Sequence, residues 1–235
     1  MFKRAFDISL AGFLLVAVLP ILAVAAILIK LDSDGPVLFS QARMGRGFRR
    51  FKILKLRTMH AGSRRSMYTV SQDPRITRIG RWLRWLKVDE LPQLWNVLRG
   101  EMSLVGSRPV VPELAAEFEP AYASLLKARP GLTDPATLKY CREDEFLALV
   151  ADHLRYYKTI LMPDKLRISQ AYLQRATPWS DLRVLVSTVL VLFLPHWRSP
   201  LFPAWTSAPI WTSVPASTVE FRFPEPVQTA EAHLD

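Results

Sequence analysis

The longest hydrophobic feature comes first in the chain. Ile8 to Ile29 is twenty-two residues without a charge, which matches the roughly 20 apolar residues needed to cross a bilayer core. The run is too long for a cleaved signal peptide, and no small-residue cleavage site precedes the basic region that follows. This segment is expected to meet lipid. Further on, Leu91, Leu94, Trp95 and Leu98 fall at the i, i+3, i+4, i+7 spacing of one helical face. Val184 to Leu194 is apolar or small throughout but too short to span, so it reads as a core or interfacial helix.

Shorter patterns fill the space between. Val37–Gln41 and Phe51–Arg57 alternate as short strands around Gly45 and Gly47, which predicts a hairpin. Ala61 to Gln72 is polar and aperiodic, hence a loop. From Arg75 to Lys87, cations at 75, 78, 81, 84 and 87 follow one side of a helix, while Ile76, Ile79, Leu83 and Leu86 follow another, with Trp82 and Trp85 at the boundary. That is the pattern of a helix lying on a membrane surface, although DNA-binding helices can look similar. Pro195 to Asp235 holds seven prolines together with Trp197, Trp205 and Trp211. It reads as an irregular tail, with its tryptophans suited to the membrane interface.

Charge sharpens the picture at two places. The formal net charge is +10, yet Arg43 to Lys87 alone has fourteen Lys and Arg against Asp73, leaving −3 for everything else. Such local basicity calls for an anionic partner: nucleic acid, anionic lipid or a phosphorylated substrate. Around the apolar N-terminal run, Lys3 and Arg4 flank one end and Lys30 with the Arg43–Arg57 cluster the other. Positive flanks mark the cytoplasmic side, and here both ends carry them. Pro20 sits near the middle of the run, where a helix is easily broken. A re-entrant segment, entering and leaving on one face, is therefore preferred over a straight span. The single cysteine, Cys141, excludes an internal disulfide and any multi-cysteine zinc site.

Asp89 and Glu90 close the basic stretch, just before the apolar series at Leu91. Asp is a favoured N-cap, and Pro92 suits a first helical turn. The plain reading is a helix cap. The richer one is a carboxylate kept ionised by the helix dipole, available as a nucleophile or metal ligand where bound anions gather.

In order along the chain, Lys3-Arg4 with Asp7, Gly35-Pro36-Val37 with Phe39 and Gln41, Lys55-Leu-Arg57-Thr-Met59, Asp73-Pro-Arg-Ile-Thr-Arg-Ile-Gly80, Asp89-Glu-Leu-Pro-Gln93, Asn96-Val97 and Gly100-Glu-Met-Ser-Leu-Val-Gly106 resemble the bacterial sugar transferase family, the monotopic polyprenyl-phosphate phosphoglycosyl transferases. Pro130-Gly-Leu-Thr133, and more loosely Tyr156-Tyr157, Pro163-Asp-Lys165 and Asp181-Leu182, extend the likeness. The resemblance implies transfer of a sugar-1-phosphate from a nucleotide sugar, UDP-linked, to polyprenyl phosphate, with release of a nucleoside monophosphate. Asp89 then corresponds to the nucleophile and Glu90 to its acidic partner, the two holding Mg²⁺. Lys55, Arg57, Arg84 and Arg108, with Arg78 and Gln93, correspond to substrate-binding positions. Two departures stand out. Ser107-Arg108-Pro109 replaces the usual Pro-Arg-Pro, and residues 134–142 diverge, with Arg142 in place of an arginine expected one position earlier.

The resulting expectation is a mainly α fold with a short β-hairpin. A re-entrant membrane helix (1–32) and amphipathic interfacial helices would surround a small catalytic domain (33–194), followed by the tail (195–235). The expected place is the cytoplasmic face of the bacterial inner membrane, in surface-glycan assembly, with membrane lipids as partners and no nucleic acid; a homo-oligomer is compatible with the sequence. Two other functions fit parts of the pattern: a non-catalytic membrane adaptor, and a membrane-tethered nucleic-acid binder using the basic helix.

Overall fold

The computed structural model describes residues 2–62, 73–141, 143, 147, 150 and 152–193. Most of the expected loop at 61–72, Arg142 and the 195–235 tail lie outside the described residues. The fold is mainly helical with a two-stranded hairpin, as the periodicities indicated. Helix α1 (Phe2–Asp32) contains Pro20. The interruption expected there is confined to the backbone hydrogen bond that proline cannot donate. Phe6, Leu10, Ala11, Leu14, Val18, Leu22, Ala25 and Ile29 pack along one stripe of α1 against the rest of the protein, at the three- and four-residue steps of one helical face. The opposite stripe, including Phe13, Val16, Val24, Ile27 and Leu31, is apolar and exposed.

Both ends of α1 are tied by polar contacts to the same body. Near its start, Lys3 pairs with Asp181. The Arg4 guanidinium donates to the carbonyls of Val97 and Leu98 at 2.7 and 3.0 Å. Buried Asp7 accepts from the Ser103 hydroxyl at 2.8 Å and the Leu104 N–H at 3.2 Å. At the other end Arg57 donates to the carbonyls of Ile29, Ser33 and Asp34, and the Asp32 carboxylate accepts from the Ile79 N–H at 3.0 Å.

The hairpin pairs β1 (Leu38–Met44) with β2 (Arg50–Leu56), Leu38 opposite Leu56 and Met44 opposite Arg50. The first strand runs three residues beyond its expected end because Met44 also bridges to Val110. Helix α2 (Arg78–Trp85) is capped by Thr77, whose hydroxyl accepts from the Gly80 N–H at 2.9 Å. It is shorter than the cation spacing suggested. Arg75 is drawn into a turn by Asp73, and Lys87 lies in the left-handed region at φ 55°, so the five cations do not form one row. Leu86 is exposed, as are Trp82, Trp85 and Trp95; the rings of Trp82 and Trp85 meet edge to face.

Helix α3 (Gln93–Leu98) buries Leu94 and Val97 under α1. Two three-residue strands, β3 (Ser103–Val105) and β4 (Gly131–Thr133), pair in parallel; they are too short for the hydrophobic pattern to reveal. Gly106 and Gly131 make their crossing possible, since a Cβ on Gly131 would stand 2.1 Å from the Gly106 nitrogen. Helices α4 (Pro112–Glu117), α5 (Glu119–Leu125), α6 (Pro135–Lys139), α7 (His153–Tyr156) and α8 (Met162–Arg175) form the far side. A π-helical turn at Tyr157–Leu161 joins the last two. Asp164 ties α6 to α8 by accepting from Lys139 at 2.8 Å and from the Tyr140 hydroxyl. Helix α9 (Pro178–Phe193) returns to α1, burying Val184 and exposing Val186 and Val189.

Candidate active site

Asp89 and Glu90 do not cap α3. They occupy a 3₁₀ turn, Val88–Glu90, and Pro92 holds the N-cap position instead. The left-handed Lys87 turns the chain so that Asp89 is buried. A lysine in that conformation is strained by about 1–2 kcal/mol, and it stands immediately before the acidic pair. The hydrogen bonds from Glu90 N–H to the Lys87 carbonyl and from Leu91 N–H to the Val88 carbonyl, both 3.2 Å, close the turn.

The two carboxyls are shifted in opposite directions. Burial pushes the Asp89 carboxyl above the usual carboxylate range, against the pull of Lys55 and Arg84. Its Oδ1 is shut off from solvent and has no hydrogen-bond partner. The dipole expected to hold Asp89 ionised is thus outweighed by desolvation. Burial also acts upward on Glu90, but Arg108 and Lys55 hold it well below its ordinary value. The Lys55 amine donates to Glu90 Oε1 at 2.8 Å, and Arg108 donates to the same oxygen. Glu90 organises the cations, while Asp89 keeps an oxygen unpaired.

Of the other expected site residues, Arg84 reaches the same cavity from α2. Arg57 also borders it, but its guanidinium is engaged with the carbonyls at the end of α1. Arg78 is exposed on α2, outside the cavity lining. Gln93 is 1% exposed, away from the lining, with its Nε2 unpartnered. Asn96 is a positioning residue whose role the spacing did not disclose. Its side chain accepts from the Leu54 N–H at 3.0 Å and donates to the Lys52 carbonyl at 2.8 Å, locking to α3 the strand that carries Lys55.

The cavity has a volume of about 1140 Å³. Lys55, Arg84, Asp89, Glu90 and Arg108 supply its charged end; Leu10 and Leu14 of α1 with Leu185, Val189 and Leu192 of α9 supply an apolar arm. A carboxylate with an unpaired oxygen beside fixed cations suits an anionic, phosphorylated ligand, and the apolar arm suits a lipid tail. The sequence profile of the bacterial sugar transferases matches residues 1–195. The chain belongs to that family.

Individual members are similar over most of this length. The undecaprenyl-phosphate glucose phosphotransferase of Komagataeibacter xylinus is 39% identical over 196 residues, 80% of this chain and 35% of its own. The UDP-glucose:undecaprenyl-phosphate glucose-1-phosphate transferase of Caulobacter vibrioides is 40% identical over 193 residues, 80% of this chain and 68% of its own. An exopolysaccharide production protein of Rhizobium leguminosarum bv. phaseoli is 46% identical over 151 residues, 60% of this chain and 74% of its own. The aligned part thus amounts to only 35% of the Komagataeibacter protein but most of the other two.

Proposed function

We propose that this sugar transferase moves a sugar-1-phosphate from a UDP-sugar to undecaprenyl phosphate or a similar polyprenyl phosphate, releasing uridine monophosphate, as a membrane step of surface-glycan assembly. A UDP-sugar donor is named for the Caulobacter relative, and undecaprenyl phosphate for both the Caulobacter and the Komagataeibacter relatives. The observation that carries the reading is Asp89: a buried carboxyl whose Oδ1 has no hydrogen-bond partner, beside a carboxylate whose Oε1 already takes Lys55 and Arg108. In the first half-reaction an Asp89 oxygen bonds the β-phosphorus. The bond from that phosphorus to the bridging oxygen breaks, and the electron pair leaves with the nucleoside monophosphate. In the second, a polyprenyl phosphate oxygen attacks the same phosphorus and the Asp89 carboxylate departs unchanged.

Mg²⁺ fits this site in one particular way. Among the described residues no group of three or more His, Cys, Asp or Glu side chains is gathered. Mg²⁺, however, is usually held by one or two carboxylates together with substrate phosphates. Asp89 and Glu90 would hold it, and when bound it would neutralise diphosphate charge.

Re-entrant insertion of α1 at the cytoplasmic face of the inner membrane is part of the same reading. A straight helix of 31 residues would be about 46 Å long, which would carry one end across a bilayer. Polar contacts at both ends of α1 with one body instead favour entry and exit on one side. The exposed apolar stripe of α1 and the outward Trp82, Trp85 and Trp95 would then face lipid and headgroups. The apolar arm between α1 and α9 would bring the acceptor's tail towards Asp89. The deciding experiment supplies the purified protein with Mg²⁺, polyprenyl phosphate and a panel of UDP-sugars. Release of uridine monophosphate that depends on one sugar supports the reading, whereas no release from any donor overturns it.

A further inference from the structure

Arg43 belongs to none of the roles above, yet its position is unusual for a charged side chain. It projects from β1 two residues after Gln41 and borders the cavity. Its guanidinium donates to the Gln41 amide oxygen at 2.8 Å and to the Pro109 carbonyl at 3.4 Å. The Nε is closed off from solvent and has no partner. Both acceptors are neutral, and among the described residues no carboxylate is paired with Arg43. Burial, followed by the nearby Arg108, pulls its pKa down to about 10, so it stays charged at neutral pH. A half-buried charge whose Nε is shut off from solvent is costly unless it meets an opposite one.

The neighbouring carboxylate is already committed. Glu90 Oε1 receives both Lys55 and Arg108, leaving the end of the cavity around Arg43 and Arg108 rich in positive charge. Arg43 donates to the carbonyl of Pro109, the residue after Arg108, at 3.4 Å, so the two arginines share one part of the cavity wall. In an in-line displacement at phosphorus the leaving oxygen stands opposite the nucleophile. Negative charge grows on that leaving oxygen, and the neighbouring Arg43 and Arg108 are cations suited to receive it.

We infer that Arg43 is a phosphate-binding residue which, with Arg108, holds the α-phosphate of the donor and the uridine monophosphate that departs. The inference rests on the proposed transferase reading. As the bridging bond to the β-phosphorus breaks, its electron pair stays on the oxygen of the α-phosphate, which gains one negative charge. The forked guanidinium supplies N–H donors to that group, and Gln41 holds the fork in place.

The test measures binding of uridine monophosphate and of uridine to the full-length protein in detergent, for wild type, Arg43→Gln and Arg43→Lys. Arg43→Gln should weaken uridine monophosphate by about 10- to 100-fold and leave uridine unchanged. Arg43→Lys should fall between, since it keeps the charge without the fork. An unchanged affinity for uridine monophosphate, or equal losses for both ligands, would overturn the inference. If Arg43→Gln lowers the unfolding temperature sharply, Gln41→Leu serves in its place: the cation stays but loses its orienting acceptor, and only the monophosphate should bind more weakly. Again, no change overturns it. The parent reading is separable: a wild type that releases no uridine monophosphate from any donor counts against the transferase, whereas turnover equal in wild type and Arg43→Gln counts against Arg43 alone.

Discussion

Asp89 and Glu90 show how far adjacent residues of one charge can be driven apart. Glu90 is stabilised as an anion by two cations, while Asp89 is buried without a partner for Oδ1. Such an unmet polar group is a cost to the fold that a catalytic role explains. Asp89→Asn should therefore abolish turnover and raise the unfolding temperature at neutral pH, as seen by calorimetry; a lower unfolding temperature would show the carboxylate to be structural. Because the pKa of Asp89 is raised from 3.8, the rate should decline on the acid side already above that value. Glu90 behaves in the reverse sense. Its folded pKa lies below 4.5, so the stability it contributes is complete above that pH and is lost as pH falls below it. Thermal unfolding of Glu90→Gln should accordingly be less acid-sensitive than wild type. The motif was legible at this scale, but the electrostatics were not. Lys55 and Arg108 reach Glu90 from 35 and 18 residues away, and no local pattern reports which carboxylate they choose.

At the scale of elements, the apolar helix, the hairpin and the helix after Asp89 were visible in the periodicity, whereas their limits were set by partners elsewhere. The cation spacing promised a longer α2, but Asp73 captures Arg75 and the backbone turns at Lys87. Strands β3 and β4 left no alternation to read. Their signal was instead Gly106 and Gly131, which the close crossing requires. Gly131→Ala should cost about 1–3 kcal/mol in denaturant unfolding and should disturb Arg108, two residues beyond Gly106. Arg4→Ala leaves the carbonyls of Val97 and Leu98 without their donor and should cost about 1–3 kcal/mol by the same measurement. Wild-type stability in either variant would mean that the surroundings adapt to the change.

Across the whole molecule, the apolar stripe of α1, the outward tryptophans and the cavity reaching from α9 to Asp89 place a charged site next to a surface suited to lipid. Basic flanks suggested that both ends of α1 share a side, and under the proposed re-entrant insertion the long-range bonds of Arg4, Asp7 and Arg57 would hold them there. A cysteine introduced by Phe2→Cys in a Cys141→Ser background should accordingly be labelled only from the cytoplasmic side, and labelling from the periplasm would establish a span. Lys55→Ala and Arg84→Ala should lose most turnover yet stay in the membrane fraction, because α1 rather than the cations supplies attachment. The central claim concerns Asp89, and it is tested most directly by incubating the protein with a UDP-sugar alone, denaturing rapidly and measuring the mass of the peptide that contains Asp89. The account predicts an added phosphosugar on Asp89, absent in Asp89→Asn. No adduct, together with no exchange of labelled uridine monophosphate into the donor, would contradict it and point to direct transfer between two bound substrates.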